Sequence, residues 1–526
     1  MPADIRSTAI PRIRRALATR LSATALAARR PVAVTLATLA THRLFAVLLT
    51  LATALRVVTM LGYRPARLYW YDSFTYLDAA VRLKPASGFH PIGYPLLLRA
   101  LWPFHSVEVI AGVQHAMGLG TGLMLYALLR RRPLPAWGAA PAAVPVLFDA
   151  SFLRLEHAVL SDTPFIFLVV AGLTTLMWSP RLSVRAALGA GLLFAAAALT
   201  RTIALPLFVV IVLMLAVRLL PTVRRGEARG GRQSGSQGGE RSRRQNERNE
   251  GRNGGRGRGR SEWWSLGVMA VAGIVPLVAY AGWYGHHHGR FALSGSDGVA
   301  LWARTMTFAD CSVIKPPPRE ARLCPNGSTT DAASEYVWAP DSALNRLPGD
   351  RFSHNDLARS FALRAIAAQP LDYLRDIVQD TALTFAWTPI AHPGRTTPAF
   401  GFAHGYRPLP DQPLIDEMRE VYASDIRGQR SVRPYSDLLI AYQYPAYLRG
   451  PLIGVILLVG AVGVVLRRRG VPLPWAVAMF LLVAPVAVLD FDHRYVLPVI
   501  PVACLAAAPA TVEITARIVA GIRAGG

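Results

Sequence analysis

The stretch LYWYDSFTYLDAAVRLKPASGFHPIGYP, Leu68–Pro95, follows the first long apolar segment and carries Asp72, Asp78 and His90 among a dense set of aromatic residues. A carboxylate this close to a membrane exit either rests on a solvated loop at little cost or is placed there for chemistry at the membrane surface. Topology decides between these readings. The 526-residue chain is 52% apolar with positive mean hydropathy, and it repeats apolar runs of about 17–23 residues, long enough to span a bilayer as helix. Period-two alternation is absent from those runs, which selects a helical bundle over a membrane barrel. The expected fold is an all-α polytopic membrane protein of about ten transmembrane helices. Both termini are cytoplasmic in this reading, and one mostly helical domain is extracytoplasmic.

The formal charge of +25 does not imply a nucleic-acid partner, because the arginines cluster in short segments between apolar runs. That is how the positive-inside rule marks the cytoplasmic side. Lys84 and Lys315 are the only lysines, and the Arg-, Ala-, Gly- and Pro-rich usage is a bacterial compositional trait. Residues 1–43 carry eight arginines against one acid, Asp4, and read as a cytoplasmic tail ahead of a signal-anchor helix. A transmembrane core occupies 44–220, with a first external loop at 63–106. Residues 221–262 have no apolar periodicity and hold twelve arginines and four glutamates between Arg224 and Arg260, the composition of a disordered cytoplasmic loop. A further span covers 263–284. An extracytoplasmic domain follows at 285–444, then C-terminal spans at 445–513 and a cytoplasmic tail at 514–526. Within the domain, Asn355–Ala368 and Leu371–Trp387 read as helices divided at Pro370, the second lying on or dipping into the membrane.

This topology places Asp72, Asp78, His90, Glu156, His157, Asp162, Arg201, Asp490, Asp492, His493 and Arg494 on the outer face, from links that a bundle can gather into one cavity. Such a set suits glycosyl transfer: a carboxylate takes the acceptor's proton, and cations hold the phosphate that leaves with a lipid carrier. Asp72 is the first choice of base, although it could equally cap a juxtamembrane helix. Asp78 stands at helical spacing from Arg82 and reads as structural. Arg56, inside the first span, must snorkel or face the bundle. His286, His287 and His288 are consecutive and point in different directions, so no metal is assigned there. Cys311 and Cys324 lie in one polar segment on the oxidising side, where a disulfide is favoured. No phosphate-binding loop or dinucleotide fingerprint occurs, so energy arrives as an activated lipid.

Five motifs then form a recognisable order: YWYDSFTYLDAA at 69–80, LEHAVLSDTPF at 155–165, LTRTIALPL at 199–207, AIAAQPLDYLRD at 365–376 and DHRYVLPVIP at 492–501. In order and spacing they resemble the bacterial GT-C glycosyltransferases, most of all the branch that includes protein O-mannosyltransferases and aminoarabinose transferases. The resemblance spans most of the chain, apart from the N-terminal tail and the 221–262 insert. It implies a plasma-membrane enzyme with an extracytoplasmic site that moves a sugar from a polyprenyl-phosphate carrier to a protein, lipid or cell-wall acceptor, with inversion. Carried over, Asp72 is the catalytic base and Glu156 a second cavity carboxylate, while Arg201, Arg494, Tyr495 and His157 bind substrate or phosphate. YWYDS has one aspartate where some members carry an adjacent acidic pair, which leaves a divalent cation open. The rivals are a lipid or sugar transporter, which favours mid-membrane charges and internal repeats, and a non-catalytic envelope scaffold.

Overall fold

In the computed structural model of the chain, the described residues are 42–86, 88–132, 134–220, 241–328, 332–388 and 401–525, with the side chains of Trp70, 241–260, Val519 and 521–525 left aside. The membrane part begins with α1 (His42–Gly62), α2 (Trp70–Arg82), α3 (Gly93–Leu101) and α4 (Val107–Arg130). It continues with α5 (Ala136–Phe148), α6 (Ala150–Glu156), α7 (Asp162–Met177), α8 (Val184–Thr200), α9 (Ala204–Leu219) and α10 (Arg241–His288). The intervening region contributes α11 (Asp297–Thr305), α12 (Ala333–Trp338), α13 (Asn355–Ala368) and α14 (Pro370–Ala382). The chain returns to long apolar helices in α15 (Gly450–Val465), α16 (Pro472–Val488) and α17 (His493–Ile518).

Among the described residues, three helices are long and apolar enough by themselves to cross a membrane: α1, α17 and the Ser261–His288 part of α10. A fourth crossing is counted if α5 and α6, bent by 55°, form one broken span. Five shorter apolar helices, α7, α8, α9, α15 and α16, complete the bundle. The apolar run at 136–156 is therefore broken and is not one straight helix. Its break is at Asp149, buried at the α6 N-cap, where its carboxylate accepts from the amides of Ser151 (2.7 Å) and Leu448 (2.7 Å). The carboxylate thus satisfies an N-terminal helix donor that a break within the bundle would leave without a partner. Residues 221–240 of the Arg/Gly tract lie outside the described residues, as does the tail at 1–41. Residues 241–260 run on as the first part of α10 where composition suggests an irregular segment; elongating an existing helix costs far less than nucleating one.

The all-α expectation needs one amendment. Tyr63–Arg64, Tyr406–Arg407 and Gln429–Ser431 form a small antiparallel sheet with the 429–431 strand in the middle, Tyr63 opposite Ser431 and Tyr406 opposite Arg430. It fastens the exit of α1 to the segment leading into α15. Strands of two or three residues carry almost no signal of alternation.

The 285–444 region has its own apolar core of Trp302, Phe361, Leu344 and Val337, all fully buried. The Cys311–Cys324 disulfide closes the loop at its edge. Pro370 begins α14, as the proline boundary predicts, at the position where its missing N–H costs nothing. The polar side of α14 is bonded inward. Asp376 accepts from the Thr307 hydroxyl (2.6 Å), Asp380 pairs with buried Arg304 (2.5 Å), and the Tyr373 hydroxyl donates to the Ala487 carbonyl at the end of α16 (2.8 Å). Leu371, Leu374 and Val378, spaced i, i+3, i+7, stay exposed at 78%, 55% and 67%. An inward polar face with an outward apolar stripe beside the end of an apolar helix is the pattern of a helix lying on a lipid surface.

Arg56 faces the bundle, as one of the two readings of its position required. Its guanidinium reaches Glu156 (2.8 Å), whose other oxygen meets His115 Nδ1 (2.8 Å), and all three side chains are buried. Gly118 on α4 makes this possible, because a Cβ there would lie 1.8 Å from a Glu156 carboxylate oxygen. Gly118→Ala is expected to expel Glu156 from the pair and to cost folded yield in detergent. The check is size-exclusion recovery against Gly112→Ala, where a Cβ meets nothing within 4 Å.

Candidate active site

Between the bundle and the 285–444 region lies a cavity of about 830 Å³. One stretch of its wall is apolar and built by Leu481, Pro485 and Val488 of α16 with Phe165 and Leu205. Another is polar and contains Asp72, His90, Asp162, Arg201, Asp492 and Arg494.

Asp72 is in the first turn of α2, where the helix dipole favours a carboxylate. It does not serve as the cap. The N-cap is Tyr69, and Ser73 inside the helix reaches back to it, its Oγ accepting from the Tyr69 amide (2.9 Å) and donating to the Val159 carbonyl (2.8 Å). Asp72 is thereby free to face the cavity, with 23% of its side chain exposed. Its Oδ1 is 3.2 Å from His90 Nε2, and its Oδ2 accepts from Arg494 Nη1 at 3.3 Å. Burial raises the Asp72 carboxyl pKa, but the His90 imidazole and the Arg494 guanidinium outweigh it and hold the group well below the usual carboxylate range. His90 Nδ1 meets the Tyr76 hydroxyl (3.0 Å), which in turn meets Ser161 Oγ (2.9 Å). A hydrogen-bonded chain thus runs from Ser161 to Asp72.

The cations converge on Tyr495. The guanidinium carbons of Arg201 and Arg494 lie 5.0 and 5.2 Å from its ring centroid, within cation–π range. Arg201, at the C-terminal end of α8, is ion-paired with Asp162 at the start of α7. Arg494 Nε lies 3.2 Å from Asp492. Two guanidiniums held around one ring by flanking carboxylates make a site for an anionic group such as a phosphate, which would exchange those carboxylates for its own oxygens.

The structure therefore brings Asp72, Arg201, Arg494 and Tyr495 together from distant segments. It does not bring Glu156 and His157 with them, and this corrects their expected position. Glu156 is buried behind the wall in its pair with Arg56, not with the nearer Arg154. His157 hydrogen-bonds the Tyr63 carbonyl (2.8 Å) and faces His115 (3.3 Å). Asp162, six residues further on, is the carboxylate of that motif that reaches the cavity. The contact of His90 with Asp72 is tertiary, with no signal in spacing. Asp78 pairs with Arg82, as its helical spacing predicts. Among the described residues no three His, Cys, Asp or Glu side chains are grouped as a bound metal ion would need.

Residues 106–287 match the protein family described as dolichyl-phosphate-mannose-protein mannosyltransferase. No curated protein matches the chain. Among solved structures, similarity is found to the Saccharomyces cerevisiae protein O-mannosyltransferase Pmt1–Pmt2 complex bound to the sugar donor, at 16% identity and TM-score 0.33. That likeness covers 51% of this chain and 38% of the yeast chain. ArnT from Cupriavidus metallidurans is similar in the apo state (15% identity) and bound to undecaprenyl phosphate (12%), each at TM-score 0.31, covering 88% of this chain and 77% of that one. The segment similar to the mannosyltransferase family runs from the start of α4 through α10 and holds Asp162 and Arg201.

Proposed function

We propose that the chain transfers a sugar from a polyprenyl-phosphate carrier to an acceptor on the extracytoplasmic face of the plasma membrane. The observation that carries this reading is the Arg201–Tyr495–Arg494 cluster beside Asp72, in a cavity whose adjoining wall is apolar. The carrier's phosphate lies against the two guanidiniums and its chain along α16. The acceptor oxygen attacks the anomeric carbon from the side opposite the phosphate, and the bond to the phosphate oxygen breaks with its electron pair, inverting the centre. The acceptor's proton passes to Asp72. A phosphate that engages Arg494 also draws that cation off Asp72 and so raises the carboxylate's basicity when the donor is in place. About ten spans with both termini inside give this topology, and the disulfide suits an oxidising compartment.

The test is transfer of radiolabelled sugar from polyprenyl-phosphate donors by membranes containing the chain. Arg201→Gln and Arg494→Gln are expected to lower transfer by about 100-fold each, since each removes a donor aimed at the charge that develops on the leaving phosphate. Undiminished transfer in both variants would remove the phosphate site from this cluster. Donor movement across the bilayer without transfer would replace the enzyme by a transporter.

A further inference from the structure

The cavity continues past Asp72 to an end that the donor chemistry leaves unused. Three rings meet there from two regions of the chain. Trp338 closes α12, with Tyr71 4.4 Å from its ring centroid at 59° and Phe89 6.0 Å away at 52°. All three line the cavity. Trp338 is fixed from behind: the Arg351 guanidinium stacks on its ring at 4.9 Å and donates to the Val337 carbonyl (2.6 Å). Tyr71 is the residue next to the proposed base and is 40% exposed. Glu335 stands three residues before Trp338, on the same face of α12, and also lines the cavity. Among the described residues its carboxylate has no hydrogen-bond or ion-pair partner.

We infer that this end is the acceptor subsite and that the acceptor is a saccharide; the inference rests on the glycosyl-transfer reading of the same cavity. The C–H face of a sugar ring is apolar and slightly electropositive, and it stacks on an aromatic face whose quadrupole is negative. The ring edge carries hydroxyls, for which an unpartnered carboxylate is a two-oxygen acceptor. Tilted rings with one carboxylate satisfy both needs. An acyl chain would leave the Glu335 carboxylate desolvated and unpaired, which is unfavourable. A saccharide seated on Tyr71 presents a hydroxyl beside Asp72. Its oxygen then bonds to the donor's anomeric carbon, its proton goes to Asp72, and the polyprenyl phosphate departs with the electron pair.

The test uses the full chain in lipid nanodiscs with mannotriose, cellotriose and arabinotriose as probes. Saturation-transfer NMR without donor reads binding, and radiolabelled donor reads transfer. The expected result is saturation of C–H protons in at least one trisaccharide, lost in Tyr71→Ala and in Glu335→Gln, with acceptor KM raised about tenfold or more and kcat moved less. Glu335→Gln keeps the side-chain volume, so loss there does not reflect unfolding around Trp338. Absence of trisaccharide binding, binding unchanged in both variants, or label passing to a Ser/Thr-rich peptide at rates that neither variant alters would overturn the inference. Donor consumption in the last case leaves the transferase reading standing. Trisaccharide binding at these residues without donor consumption under any condition would retire the transferase reading and the acceptor role with it, leaving a saccharide-binding site.

Discussion

Asp72→Asn is expected to lower sugar transfer by about 10³-fold or more, within the range for loss of a positioned general base. Asparagine keeps the size and can still hydrogen-bond His90 and Arg494, so protein recovery and donor binding should remain near wild type. The readout is single-turnover transfer at saturating donor, with donor retention measured on the same membranes. Transfer within about threefold of wild type would dismiss Asp72 as base, since a lost general base costs far more than that. The pH dependence has a fixed sign. In the donor-free cavity His90 and Arg494 hold the Asp72 carboxyl well below its ordinary range. Acidification from about pH 7 to 5 therefore leaves the base deprotonated, and a fall in kcat/KM over that interval must come from another group.

The second large effect is structural. Breaking a buried pair by removing one partner typically costs about 3–5 kcal/mol, because the other charge is left buried and uncompensated. Glu156→Ala and Arg56→Ala should each act in that way, since Arg56 and Glu156 are only 3% and 1% exposed. Replacing both by apolar residues of similar volume, Arg56→Met with Glu156→Leu, should recover most of the loss. Thermal aggregation in detergent, run as a double-mutant cycle, measures this. If Glu156→Ala aggregates at the wild-type temperature yet transfers no sugar, Glu156 has a role in the cavity that its burial does not reveal.

Glu156 also illustrates what patterning conveys. A polar pair at a span end looks the same whether it faces a water-filled cavity or another helix. Only the Arg56 partner, 100 residues away, distinguishes them. Conversely, Pro370 marks a helix boundary by a local rule and falls where that rule puts it. Arg201 and Arg494 were legible because an arginine at the end of an apolar helix has few inexpensive explanations. Their shared contact with Tyr495 was not, since two cations converging on one ring is a tertiary event. The pairing of His90 with Asp72 was not legible for the same reason, since it crosses the loop between α2 and α3. The small sheet, too, is specified by pairing partners far along the chain and not by its own few residues.

That sheet and the Asp72–Arg494 contact bear on how the protein is made. The strand after α1 has no partner until residues 429–431 exist, and Asp72 meets Arg494 across a separation of 422 residues. At ordinary synthesis rates the ribosome needs roughly 20–80 s to cover that distance. Through that interval the nascent chain carries Asp72 without the cation that later restrains it. The cluster is completed only when the start of the last apolar helix, which carries Arg494 and Tyr495, has been made.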